Sequence, residues 1–414
     1  MVVLRPFKGI RPEASHVAQI ATHPYDVLNS QEAAELAQDN PYSYLHIDKA
    51  EIDLPSDLSP YDEQVYQKAA SNLAAFLEKG WFVQDETPAL YLYELTMDGR
   101  AQTGIVATTA IDDYAAGHIK KHEYTRHEKE IDRINHIDYT DANTSPIFLT
   151  YRQQADVKQL IAEWQQSHQP IYDFDSFYDV KHRVWMITDP QVIAKLVTAF
   201  KSIDYLYIAD GHHRTESAVK VGLKRRESFP KAPADSAFNY FLSVIFPKEE
   251  LAIWDYNRVL QVPIPADLVA QLAQSFVVTP LTESAYQPQE VGHFGMYVAD
   301  KWYDLAIKAE LIPTDAVGKL DAALLQQYVF EAIFKIDDIR TDKRIDFVGG
   351  IRGIQELERL VDSGDFSLAF SLYPTSMDQL LAVADADQVM PPKSTWFEPK
   401  LLSGLFLHDL ETPN

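Results

Sequence analysis

The sequence predicts an α+β (mixed α/β) fold in two parts, residues 1–246 and 247–414. Three observations carry this. Strand-like and helix-like patterns alternate along the whole chain, which argues for sheets covered by helices. The order strand, short turn, helix recurs, at "YLYIADGHHRTESAVK", "RIDFVGGIRGIQELERLVDSG" and "FSLAFSLYPTSMDQLLAVADA". Finally, 414 residues exceed what one ordinary core holds, and the prolines of "QVPIPADLVAQLAQSF" open a C-terminal part.

The elements follow in order. "RPFKGIRP" reads as a short strand between prolines, and "SQEAAELAQDN" as a helix capped by Ser30. "YDEQVYQKAASNLAAFLEKG" is an amphipathic helix: Val65, Ala69, Leu73, Phe76 and Leu77 share a face, and Gly80 stands at its stop. "PALYLYELTMDGRAQTGIVATTAI" is a hairpin about an Asp98-Gly99 turn. A strand near "PIFLTY", a helix near "ADVKQLIAEWQQS", strands at "FYDV" and "RVWMIT" and a helix at "PQVIAKLVTAFKS" lead to "YLYIADGHHR". "FNYFLSVIFP" is a buried strand and "LAIWDYNRVL" follows it. "KLDAALLQQYVFEAIFKI", Lys319–Ile336, is a helix of the second part.

Composition narrows the chemistry. With no cysteine, the chain has no disulfide, thiolate nucleophile or thiolate metal site. With 61 acidic against 37 basic residues, the net charge of −24 disfavours DNA, whose partners need a basic footprint. No apolar run approaches a membrane span, and "MVVLRPFKGIRP" lacks the apolar centre of a signal peptide, so the expectation is a cytoplasmic protein with no membrane segment.

Asp210–Arg214 is the most informative stretch. Gly211 permits a tight turn off a strand. A helix starting near His213 or Arg214 leaves its first N–H groups unpaired, and these, with the helix dipole, favour an anion. Arg214 in that first turn opposes the dipole unless an anion is present, and a guanidinium suits phosphate oxygens. Asp210 is a candidate Mg²⁺ ligand or proton acceptor. "KKHEYTRHEKEIDR" carries five Lys or Arg, four Asp or Glu, and two His. Read as a helix, it lines up His118, His122, Arg126, Lys129 and Arg133 on one cationic face. His122-Glu123 does not begin a zinc-protease motif, because position 126 is Arg. "RIDFVGGIRG" suggests close backbone approach, and Lys393, Ser394 and Thr395 of "PPKSTWFEPK" resemble phosphate-cradling residues outside any P-loop.

Taken together, "RPFKGIRP", "KHEYTRHEKEIDRINH", "SPIFLTY", "YIADGHHRTESA", "DYNRVL", "RIDFVGG" and "MPPKSTWFEPK" resemble the bacterial domain-of-unknown-function family 1015. The "DGHHR" turn is also similar to the ParB/sulfiredoxin superfamily. There a Gly-x-x-Arg or Gly-x-His-Arg turn binds nucleotide phosphates, and Gly211, His213 and Arg214 occupy its places. The likeness implies a ParB/sulfiredoxin-like N-terminal part. Among that superfamily's chemistries, sulfiredoxin's needs the cysteine this chain lacks, and partition proteins need a basic DNA-binding surface. A kinase-like chemistry survives.

The expectation is a nucleotide-binding phosphotransferase or nucleotide hydrolase acting on a small molecule. Gly211, His212, His213, Arg214, Arg126, Lys129 and Arg133 would bind phosphate. Asp210, Glu123 and His122 would be catalytic, with Asp210 holding Mg²⁺. The expected partner is a nucleotide or other phosphorylated small molecule. The alternatives are a nucleotide-responsive regulator without turnover, and a metal-dependent hydrolase using His118, His122, His212 and Asp210.

Overall fold

The computed structural model describes residues 2–282 and 285–413. The chain is mixed α/β and forms two compact units, Met1–Leu251 with Pro399–Asn414, and Ala252–Glu398. The expected second part, 247–414, differs at its end: the last sixteen positions return to the first unit.

The first unit is built on a nine-stranded sheet. Its strands are β1 (Leu4–Arg5), β2 (Leu90–Met97), β3 (Arg100–Ala110), β4 (Ile119–Lys120), β5 (Ile147–Tyr151), β6 (Tyr172–Asp175), β7 (Lys181–Ile187), β8 (Leu206–Asp210) and β9 (Tyr240–Pro247). They run in the order β4-β8-β5-β9-β3-β2-β7-β6, with β1 on β3. The pairs β4–β8 and β5–β9 are parallel, and the remaining pairs are antiparallel. The β2–β3 hairpin turns at Asp98 and Gly99, both with positive φ (51° and 76°), as a two-residue primed turn requires. Leu92, Ile105, Leu149, Ile208 and Ile245 of five neighbouring strands join one apolar core. Their contiguous burial explains why β2, β5 and β9 read as apolar runs rather than alternating ones.

Three helices matter for the site: α1 (Glu63–Glu78), α2 (His127–Thr140) and α3 (His212–Ser228). In α1, Val65, Ala69, Leu73 and Phe76 are buried as their spacing predicts, while Leu77 is exposed. Tyr66 of α1 donates to Asp132 of α2 (3.1 Å), and Ser217 of α3 donates to the Glu130 carbonyl of α2 (3.1 Å). The three are thereby keyed together.

Several expectations are corrected. The stretch 118–133 is not one helix. Ile119–Lys120 pairs with Leu206–Tyr207 as a strand, 121–126 is a loop, and only from His127 is the chain helical. Strand pairing with β8 outcompetes the local helical pattern there, so His118, His122 and Arg126 do not share a helix face. The helix after Gly211 starts at His212, one residue earlier than expected. Asn29, not Ser30, caps Ser30–Ala37, through a reciprocal bond pair with Glu32. "FYDV" is a tight turn at Phe177–Asp179 with Tyr178 at φ 58°, not a strand.

The second unit is a six-stranded antiparallel sheet, ordered Phe276–Pro280, Lys301–Ile307, His293–Val298, Leu368–Leu372, Tyr256–Leu260, Ile345–Gly349. Alternation along these strands separates two faces. Leu260, Met296, Leu305 and Phe370 face Leu324, Leu325, Val329 and Phe330. Val259, Tyr297, Trp302 and Ala369 face Leu357 of the helix Gln355–Asp362. The expected helix Lys319–Ile336 is shorter: an α-helical turn, Asp321–Leu325, opens into a wider π-helical one, Gln326–Glu331.

Candidate functional site

The junction of β8 and α3 organises the site. Gly211 has φ 96°, a left-handed conformation that only glycine adopts cheaply. Its carbonyl accepts from the N–H of Thr215 (2.9 Å) and from Thr215 Oγ1 (3.0 Å), which closes the first turn of α3. Arg214 then folds back over the glycine. A Cβ at Gly211 would lie 3.0 Å from Arg214 Nε, so the missing side chain makes room for the guanidinium.

Arg214 is only 8% exposed. Its NH1 donates to the Pro146 carbonyl (2.5 Å), NH2 lies 3.8 Å from Asp210 Oδ1, and Nε has no hydrogen-bond partner among the described residues. Burial works against this cation, but Asp26, Asp210, Tyr25 and Asp48 outweigh it and hold the guanidinium above its ordinary range. Asp210 also accepts from Lys400 Nζ (3.0 Å). Burial pushes the Asp210 carboxyl up, yet Lys400 and Arg214 overcome that and hold it well below the usual range.

The two histidines that open α3 tie down the loop 121–126. The N–H of His122 approaches His212 Nε2 (3.4 Å), and the N–H of Arg126 donates to His213 Nε2 (3.0 Å). Each neutral ring therefore carries its proton on Nδ1. Burial lowers both imidazoles, so they are neutral near pH 7. Glu123 Oε2 lies 4.0 Å from His212 Nδ1. The His122 ring meets His212 edge to face (4.5 Å between centroids) and is pushed down to about 4 by burial.

Beside this junction is a small cleft, with room for water of about 20 Å³, lined by Tyr25, Arg133, His136, Thr144, Ser145 and Arg214 among others. Arg133, from α2, is buried and paired with Asp132 Oδ2 (2.9 Å) and more loosely with Asp48 Oδ1 (3.5 Å). Its guanidinium carbon sits 3.9 Å from the centroid of the Tyr25 ring. His136 Nε2 contacts the Ile47 carbonyl (3.0 Å), which assigns it the proton and leaves Nδ1 to accept from Thr144 Oγ1 (3.3 Å). Ser145 Oγ donates to Asp48 Oδ2 (3.1 Å) and meets Ser403 Oγ (3.1 Å).

Of the residues expected from sequence, Asp210, Gly211, His212, His213 and Arg214 form the junction, and Arg133 shares a cleft with Arg214. Glu123 and His122 reach the junction through His212. Arg126 contributes its backbone, with its side chain exposed, and Lys129 reaches out to Tyr61 (3.1 Å). His118 lies 3.5 Å from Asp113, and among the described residues no group of three His, Asp or Glu could hold a metal ion. Sequence reasoning missed Tyr25, Asp48, His136, Thr144, Ser145 and Lys400. Two signals were available: Lys400 ends "PPKSTWFEPK", and Thr144-Ser145 directly precede "PIFLTY".

The other glycine and Lys-Ser-Thr stretches belong to the second unit, where they pack. A Cβ at Gly349 would lie 2.8 Å from the Trp396 ring, and one at Gly350 would lie 2.2 Å from Asp255 Oδ1. Ser394 Oγ donates to the Pro391 carbonyl (2.6 Å), and Lys393 Nζ stands 5.6 Å from the centroid of the Tyr256 ring.

The fold and the junction define a mixed α/β protein with a strand–glycine–helix turn at Asp210–Arg214. The family described as "Protein of unknown function (DUF1015)" matches residues 4–323, and the chain belongs to that family. Among solved structures it is similar to a free serine kinase variant in complex with AMP, at 12% identity, over 71% of this chain and 86% of that one, with a TM-score of 0.38. It is also similar to a conserved hypothetical protein from Pyrococcus furiosus, at 13% identity over 74% and 96% of the two chains, TM-score 0.36. A third likeness is to C-terminally truncated SbnI from Staphylococcus aureus, at 12% identity over 75% and 90%, TM-score 0.33. No curated protein matches the chain.

Proposed function

We propose that the protein binds a nucleotide, or another phosphorylated small molecule, in the Arg133–Arg214 cleft and transfers or hydrolyses its terminal phosphoryl group. The ParB/sulfiredoxin-like reading of the "DGHHR" turn belongs to the same proposal. The observation that carries it is the convergence of two buried guanidiniums on one cleft at a helix start. Buried cations facing a cleft favour an anion, and phosphoryl transfer is mostly positioning and charge stabilisation.

In this reading the Arg214 Nε donates to a phosphate oxygen in the cleft, and Gly211, His212 and His213 at the start of α3 would extend the phosphate site beyond the residues that line it. His213, with its proton on Nδ1, adds a neutral donor, and Arg126 and Lys129 supply outer positive charge. Asp210 acts by fixing Arg214 and Lys400 rather than as a metal ligand, because Lys400 already occupies its Oδ2. A resident Mg²⁺ does not fit the donor set; Mg²⁺ enters with the nucleotide's own phosphates. Glu123 orients His212, and His122 backs that ring.

The test is thermal denaturation with ATP, ADP, CTP, GTP and pyrophosphate, with and without Mg²⁺, on the wild type and Arg214→Ala. A ligand at about 100 times its Kd stabilises the native state by about 2.7 kcal/mol, so a bound nucleotide raises the midpoint. The expected result is a rise in the wild type and its loss in Arg214→Ala. No rise with any ligand, or a full rise in the variant, overturns the site. Binding without product would leave a nucleotide-responsive regulator.

A further inference from the structure

We infer that Ser145 is a covalent phosphoryl acceptor within the protein's own cleft. This rests on the reading that the cleft binds a nucleoside triphosphate.

Ser145 stands just before β5, in "NTSPIF". The next residue, Pro146, gives its carbonyl to Arg214, so the serine sits one residue from the phosphate-binding guanidinium. Ser145 lines the cleft and is 8% exposed. Its Oγ donates to Asp48 Oδ2 at 3.1 Å, within the range of about 2.6–3.2 Å that marks a nucleophile and its base. Asp48 lies behind the serine, 3% exposed, and its other oxygen faces Arg133, which lines the same cleft. Nucleophile, base, the group that orients the base, and two phosphate-binding cations thus stand in one place. The adjacent pair, Thr144 and His136, is looser at 3.3 Å and has no charged base.

Ser145 Oγ attacks the γ-phosphorus of a nucleoside triphosphate and forms an O–P bond. The bond from that phosphorus to the bridging β–γ oxygen breaks, and the nucleoside diphosphate leaves with the electron pair. The hydroxyl proton passes to Asp48. Arg214 and Arg133 bear the charge on the transferring group.

The experiment incubates the full chain with γ-phosphate-labelled ATP, GTP and CTP in parallel, each with Mg²⁺, and maps acid-stable label by peptide mass spectrometry. Label on the Ser145 peptide is expected with the nucleotide that raises the thermal midpoint. Ser145→Ala should lose it, with Ser145→Cys as the bulk-preserving check if the alanine variant melts low. Ser394→Ala, in the second unit, should keep it. Asp48→Asn should slow labelling by about 10²–10⁴-fold, the usual contribution of a positioned base. A midpoint rise without label, or label on Thr144 or elsewhere, overturns the Ser145 assignment and leaves the proposed function standing. Absence of both rise and label overturns both.

Discussion

Single residues at the β8–α3 junction do separable jobs. Gly211 holds a φ of 96° and leaves space for the Arg214 guanidinium. Gly211→Ala meets both obstacles, and left-handed backbone alone costs an ordinary residue about 1–2 kcal/mol. The expected outcome is a midpoint lowered by a few degrees in calorimetry, together with a weakened pyrophosphate shift. Lys400 neutralises Asp210, which is 28% exposed. Lys400→Met leaves that carboxylate with Arg214 alone, at a cost of about 1–3 kcal/mol near neutral pH. The folded-state pKa of Asp210 lies below its unfolded value, so its contribution is full above about pH 4 and is lost as pH falls further. Denaturation curves of wild type and Lys400→Met should therefore differ most at pH 7 and draw together below pH 4. A gap that widens in acid would contradict the pairing.

At the scale of elements, helix α1 was legible because its buried stripe follows the helical period, and the β2–β3 hairpin because Asp98-Gly99 is a turn dipeptide. The charged stretch 118–133 was not legible. Its i,i+4 pattern is helical, yet the backbone at 119–120 pairs with β8, and the next loop is held by histidines about ninety residues later. Helix α3 shows the same limit from the other side. Gly222 is a poor helix former, and alanine in its place would raise intrinsic propensity by about 1 kcal/mol. A Cβ there would, however, lie 2.5 Å from the Phe238 carbonyl oxygen and 2.7 Å from Ile111 Cδ1. Gly222→Ala should lower the melting midpoint although helix propensity predicts a rise.

Within the first unit, the end of the chain closes what its beginning opens. Ser403 exchanges backbone hydrogen bonds with Thr22, Leu407 does so with Ile10, and His408–Asp409 pairs with Ala142–Asn143. Leu401, Leu402, Leu405, Phe406 and Leu407 are all buried. At about 1.5–3 kcal/mol for each buried side chain, the segment contributes an amount comparable to the ~5–15 kcal/mol that keeps a whole domain folded. Deleting 399–414 should abolish the cooperative melting of the first unit and, with Lys400 no longer paired to Asp210, any nucleotide shift. A deletion variant that melts at the wild-type temperature would show the segment to be dispensable.

Local sequence pattern was enough for the mixed α/β class, most helices and strands, and the turn at Asp210–Arg214. Each of these is written in local pattern, in a turn-forming glycine or in the period of buried side chains. Tertiary structure alone decided that Arg133 meets Arg214, that Lys400 occupies Asp210, and that Asp48, Thr144 and Ser145 belong to the same cleft. Those residues come from segments separated by tens to hundreds of positions. Their meeting depends on which strand pairs with which and on where the chain's end returns, and no local periodicity encodes either.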